Sequence, residues 1–175
     1  MFWEFNLPVK IVFGNGKRRE IKRYIDEIGG TRGVLVCSKT LEKNGAAQEL
    51  IEAANGSIAA VFSDIRPNPT TDNVNACAAL MRECRADFAV ALGGGSPMDC
   101  CKAAAAIAKG NDVIEGYHTG GKPICAGEAI PMLALPTTSG TASEVTNISV
   151  LTDLNQNLKQ PMNDAAMFPK TAIVD

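Results

Sequence analysis

Three consecutive glycines, Gly93, Gly94 and Gly95, separate two segments of different character. Before them, Phe88 to Leu92 is a short apolar run that reads as a buried strand. After them, Ser96 suits an N-cap, Pro97 the first helical position, and Asp99 the third, where a carboxylate can answer the cap's N–H. The Ala-rich stretch from Asp99 to Ala108 favours helix, and Gly110 suits its stop. Strand, glycine turn and helix in that order make a device for anions. Residues without Cβ let a phosphate approach the backbone, and the N–H groups of a helix start point at it. A plain strand-to-helix turn is the competing reading. It would have no use for three residues that each lose more conformational freedom on folding than any other type.

The same alternation recurs along the chain. Lys10 to Gly16 (KIVFGNG) reads as a strand ending in a turn. Gly14 and Gly16 begin a dinucleotide fingerprint, but Arg19 stands where its third glycine belongs, so the segment is read only as a turn into a helix from Lys17 to Ile28. Gly33 to Cys37 is the next strand. Ser38 follows it, at the place where a dinucleotide fold meets the adenosine ribose and where an acid selects a free 2′-hydroxyl. A helix-capping or turn serine is the equal alternative for Ser38. Leu41 to Ala54 reads as a helix, Ser57 to Phe62 as a strand, and Thr70 to Cys84 as a helix. Between the last two, Pro67 and Pro69 stiffen the loop on either side of Asn68. A surface turn is the alternative there.

Asn111 to Glu128 is loop-like and holds His118, the single histidine of the chain, read as a solvated side chain. Gly116, Gly121 and Lys122 match part of a P-loop, but Pro123 replaces the required hydroxyl residue and no strand precedes them, so that motif is rejected. Ile130 to Leu135 is another buried strand. It runs into the hydroxyl-rich loop Pro136 to Glu144, at a strand's C-terminal end, where open α/β sheets place their ligands. Thr146 to Thr152 alternates as an antiparallel strand does, with Lys159 on the returning arm, and Thr171 to Asp175 forms one more strand. The expected fold is therefore α/β: a Rossmann-like, mostly parallel sheet with helices on both faces, plus a small antiparallel hairpin.

With 175 residues, 46% hydrophobic, and a net charge of −2, the chain is expected to form one domain and to bind neither nucleic acid nor an anionic membrane. The N-terminus lacks the pattern of a signal peptide, and no run reaches the length of a membrane span. Six cysteines without CxxC spacing are read as reduced, buried, small hydrophobes in a cytoplasmic protein.

Four segments, KIVFGNG (Lys10 to Gly16), RPNPTTDNV (Arg66 to Val74), GGGSPMDCCKA (Gly93 to Ala103) and PTTSGTASEVT (Pro136 to Thr146), resemble the iron-containing, group III alcohol dehydrogenase family in order and spacing. The branch they look most like contains lactaldehyde reductase, propanediol dehydrogenase and butanol dehydrogenase. The resemblance implies that residues 1–175 are an NAD(P)-binding domain. Gly94, Gly95 and Ser96 would hold the pyrophosphate. Thr137, Thr138 and Thr141 would line the nicotinamide end, and Asn68 and Lys159 would touch the ribose or adenine side. Many NAD-using members carry Asp where this chain has Ser38. With Lys39 beside it, the choice between NAD and NADP is open.

The family's iron (or zinc) is held by one aspartate and three histidines of a C-terminal helical domain. The resemblance therefore implies metal ligands outside this chain, no catalytic residue within it, and no activity for it alone. The function implied is hydride transfer between a small alcohol, aldehyde or diol and NAD(P). The resemblance leaves a homodimer open. The alternatives are a naturally short, non-catalytic dinucleotide-binding module, or a relative of glycerol dehydrogenase and dehydroquinate synthase. The SPMD after the glycines and the PTTSGTASE loop favour the alcohol dehydrogenase branch.

Overall fold

A computed structural model describes residues 2–4, 6–117, 121–124, 127 and 129–175, so the readings of His118 and Cys125 fall outside the described residues. Six strands form one parallel sheet: β1 (Lys10–Phe13), β2 (Gly33–Cys37), β3 (Ile58–Phe62), β4 (Phe88–Gly93), β5 (Met132–Pro136) and β8 (Thr171–Val174). Their order is β1-β8-β5-β4-β2-β3. The remaining strands, β6 (Ile148–Asp153) and β7 (Leu158–Asn163), pair antiparallel as a separate hairpin. The helices are α1 (Ile21–Glu27), α2 (Lys39–Lys43), α3 (Ala46–Ala53), α4 (Thr71–Glu83) and α5 (Gly95–Ala106).

Every residue of β2 and β4 is buried, which is why both read as unbroken apolar runs. Their side chains nonetheless alternate between two cores. Val34, Val36, Ala89 and Ala91 pack with Val74 and Met81 of α4 and Met98 of α5. Leu35, Cys37, Phe88 and Val90 face the other way, onto Ile21 and Ile25 of α1 and Leu50 of α3. Helix α5 lies between the sheet and the hairpin, and Met98 and Cys100 to Ala106 are all buried. A helix covered on more than one side needs small side chains, and its alanines and cysteines supply them.

Two expectations are corrected. The segment from Leu41 to Ala54 forms two helices, because Gly45 takes a φ of +90° and the Asn44 side chain accepts from the Ala46 N–H at 3.1 Å. The helix expected from Lys17 opens as a 3₁₀ turn over Lys17–Glu20 before α1 begins. The start of α4 was legible, and Thr70 caps it in a reciprocal pair with Asn73, at 3.2 Å in each direction.

Cys37, Cys77, Cys100 and Cys101 are buried free thiols, and Cys84 is half-buried. Burial pushes the Cys37 thiol up to about 11 and raises those of Cys77 and Cys101. Among the described residues, no helix is long and apolar enough to cross a membrane.

Candidate functional site

Strand β2 is followed in the sheet by β3 on one side, and β4 by β5 on the other. The chain thus diverges between β2 and β4, and a crevice opens at their C-terminal ends, the usual ligand position in such sheets. The register sets Cys37 beside Leu92 and Gly93 beside Pro136, so Ser38, Gly94 and Thr137 follow one another along that edge.

At the centre, Gly93 has a φ of +146°, and a Cβ there would lie 2.8 Å from Pro97 Cγ. Gly94 is the N-cap of α5, in extended backbone. A Cβ on Gly94 would lie 2.9 Å from Thr138 Oγ1, and one on Gly95 3.4 Å from Thr141 Oγ1. The exposed hydroxyls of the loop after β5 therefore stand directly over the glycine turn. The Thr137 N–H donates to the Gly93 carbonyl at 3.1 Å and fixes where that loop leaves the sheet. The N–H groups of Gly95 and Ser96, in the first turn of α5, have no acceptor within the helix.

The capping role expected for Ser96 falls to Gly94, since α5 starts two residues earlier than expected. Ser96 is freed to accept the Asn68 N–H at its Oγ, at 3.2 Å. Asn68 holds a φ of +57°, and its side-chain oxygen accepts from Lys159 Nζ at 2.8 Å. The structure therefore brings Ser96, Asn68 and Lys159 into one chain of contacts beside the turn. Ser38 stands at the end of β2, where its Oγ caps α2 by accepting from the Leu41 N–H at 3.4 Å. Beside it, Lys39 is paired with Asp64 at 2.5 Å, so its charge is already partnered.

Asp99 does not answer a cap. Its carboxylate accepts from Ser143 Oγ at 2.8 Å and from the Val150 N–H at 3.2 Å, which draws it into the interface between α5 and the hairpin. One turn on, Lys102 is fully buried and donates to Ser143 Oγ (2.7 Å), Thr146 Oγ1 (3.1 Å) and the Ile148 carbonyl (3.0 Å). Burial pulls the Lys102 ammonium down to about 8 against the opposing attraction of Asp99 and Glu144, and burial raises the Asp99 carboxyl. Lys102 was missed in the sequence. The available signal was one acid and one base, three residues apart, on a helix apolar on all sides.

Along the same edge, a groove of about 300 Å³ is lined by Thr137, Thr138, Ser139, Glu144, Val174 and Asp175. A wider hollow of about 520 Å³ opens at the opposite end of the sheet, around Ile28, Pro131 and Lys170, far from the glycine turn and the loop hydroxyls. The glycine turn and the loop hydroxyls both lie at the C-terminal edge. Among the described residues, no three His, Cys, Asp or Glu side chains come together as metal ligands would.

A family model describing iron-containing alcohol dehydrogenases matches residues 8–175. The chain belongs to that family. In the family, it is similar to lactaldehyde reductase of Escherichia coli strain K12, 32% identical over 170 residues that cover 93% of this chain and 43% of the relative. It is 32% identical to NADPH-dependent butanol dehydrogenase of Clostridium saccharobutylicum over 178 residues, 98% of this chain and 44% of that one. The crystal structure of sulfoacetaldehyde reductase from Bifidobacterium kashiwanohense in complex with NAD+ superposes with a TM-score of 0.95 at 44% identity, covering 100% of this chain and 46% of the other. The chain thus spans a little under half the length of these relatives.

Proposed function

We propose that residues 1–175 are the NAD(P)-binding domain of a metal-dependent dehydrogenase that moves hydride between a small alcohol or diol, or the corresponding aldehyde, and the cofactor. The observation that carries this reading is the glycine turn at the divergence of the sheet, roofed by the hydroxyls of Thr138 and Thr141.

The residues present fit a dinucleotide. Gly94 and Gly95 leave the backbone open to a pyrophosphate, and the first N–H groups of α5 supply donors and a positive dipole end. Thr137, Thr138 and Thr141 would hold the nicotinamide end, while Asn68 and Lys159 would orient the ribose or adenine side. A nicotinamide bound there supplies the hydride acceptor or donor, and the protein's part is to place it and to keep water from its face.

The described residues do not fit the family's metal, since they assemble no ligand set. The five free thiols among the described residues suit a reducing cytoplasm. A second copy is the partner that fits the outer edge of β1, where Ile11 and Phe13 are 51% and 82% exposed; light scattering behind a sizing column tests it, and a monomer at all concentrations contradicts it.

Calorimetric titration of the chain with NADH and NADPH tests the reading as a whole. Saturable binding of at least one is expected. Binding of neither overturns it.

A further inference from the structure

We infer that Lys102 is a positioning residue: acting through Ser143, it holds the loop from Thr137 to Ala142 over the glycine turn. The loop has two anchors. One is the Thr137 N–H on the Gly93 carbonyl at 3.1 Å. The other is Ser143, whose Oγ accepts from Lys102 at 2.7 Å and donates to Asp99 at 2.8 Å. Between the anchors the residues are exposed, and Ala142 takes a φ of +52° immediately before the second anchor. A left-handed alanine persists only where its surroundings over-determine it. The Ser143 clasp is the contact that does so.

The chemistry of Lys102 supports positioning rather than simple adhesion. An apolar side chain of similar length would join α5 to the hairpin without taking a charge out of water, and such replacements of buried charges are often neutral or stabilising. An ammonium adds direction. Its three protons go to three acceptors, Ser143, Thr146 and Ile148, all on the segment that follows the loop. Asp99 binds the same segment through Val150, and Ser149 Oγ donates back to the Asp99 carbonyl at 2.9 Å. Lys102 and Asp99 sit on the helix whose N-terminus is the glycine turn itself. The turn and the far anchor of the loop therefore share one rigid element, and Thr138 and Thr141 keep a fixed height above Gly94 and Gly95.

The consequence for binding rests on the dinucleotide reading given above. A loosened loop should weaken the grip on the nicotinamide half and spare the half held by the turn and the adenine side. Two variants of the 175-residue chain test this, Lys102→Met and Ser143→Ala, the second removing only a hydroxyl should the first fail to fold. Amide hydrogen exchange over Thr137–Ala142 is expected to quicken about tenfold or more in each while β4 and β5 keep their protection. NADH is expected to bind about tenfold more weakly and ADP less than about threefold more weakly, a split that general destabilisation would not produce. Unchanged loop exchange in the folded variants, or equal loss of NADH and ADP, overturns the inference. A wild-type chain that binds neither probe contradicts the dinucleotide reading, and loop exchange alone then decides the role of Lys102.

Discussion

Lys159 Nζ donates to the side-chain oxygen of Asn68 at 2.8 Å, joining two positions that lie 91 residues apart. Asn68 in turn gives its N–H to Ser96 Oγ at 3.2 Å, so the hairpin, the proline-flanked loop and the start of α5 converge beside the glycine turn. An exposed lysine with one partner is held in place but contributes little to stability. Lys159→Met is therefore expected to weaken NADH binding about threefold to tenfold and to change unfolding free energy by less than about 0.5 kcal/mol. Calorimetry and urea titration measure the two. A stability loss with unchanged affinity would assign Lys159 to the scaffold alone.

Cofactor choice is expected to turn on the pair Lys39–Asp64. The ammonium that could attract a 2′-phosphate beside Ser38 is bound by Asp64 at 2.5 Å, and that contact holds the Asp64 carboxyl below its usual range. Asp64→Asn should release Lys39 and raise NADPH affinity relative to NADH several-fold. Ser38→Asp should move the ratio towards NADH by restoring the carboxylate that grips a 2′-hydroxyl. Parallel titrations of both variants with both cofactors read the ratios, and unchanged ratios in both would place selectivity elsewhere.

Much of this arrangement was legible in the sequence for physical reasons. The run Phe88 to Leu92 and the glycines after it place a strand and a turn, because both are local properties of the residues. The contacts among Asn68, Ser96 and Lys159 were not legible, since no local rule ties position 68 to 96 or 159 and the resemblance implied only that each touches the cofactor. The start of α5 was misjudged because Ser96 has the chemistry of a cap, whereas Gly94 reaches the extended backbone of a cap without a side chain. The break at Gly45 was missed because Leu41 to Ala54 is helix-forming on average. Lys102 lay hidden for a different reason: a lysine in an Ala-rich helix reads as solvent-facing until the hairpin that buries it is in place.

The burial of Lys102 predicts a pH dependence of stability. The folded chain holds its ammonium proton only up to about 8, against 10.5 for the ordinary side chain. Between those values the unfolded chain binds more protons, so stability rises with pH; below about 8 the full cost of the buried charge is present. Urea unfolding of wild type and Lys102→Met from pH 7 to 10 should show the wild type gaining on the variant, by on the order of 1–3 kcal/mol. A constant difference across that range would mean that Lys102 keeps its proton.

No turnover is expected from the 175-residue chain by itself. Polarising an alcohol oxygen takes a metal held by several N or O ligands in one place, and the described residues offer no such group. Anaerobic assays with ferrous iron or zinc, NAD(P) and short alcohols and diols, followed at the absorbance of reduced nicotinamide, check this. Turnover above the metal-free blank, traced to this polypeptide, would show that a complete site is present.

The central claim is that a dinucleotide pyrophosphate lies on the backbone of the turn from Gly93 to Ser96. The most direct measurement is a calorimetric titration of NADH into wild type and Gly94→Val, with circular dichroism and urea unfolding to confirm that the variant is folded. A Cβ at Gly94 would stand 2.9 Å from Thr138 Oγ1, and a branched side chain would fill the space between the turn and the loop. The account predicts that wild type binds and that folded Gly94→Val loses more than tenfold in affinity, over about 1.4 kcal/mol. Equal affinity in the two proteins would contradict it.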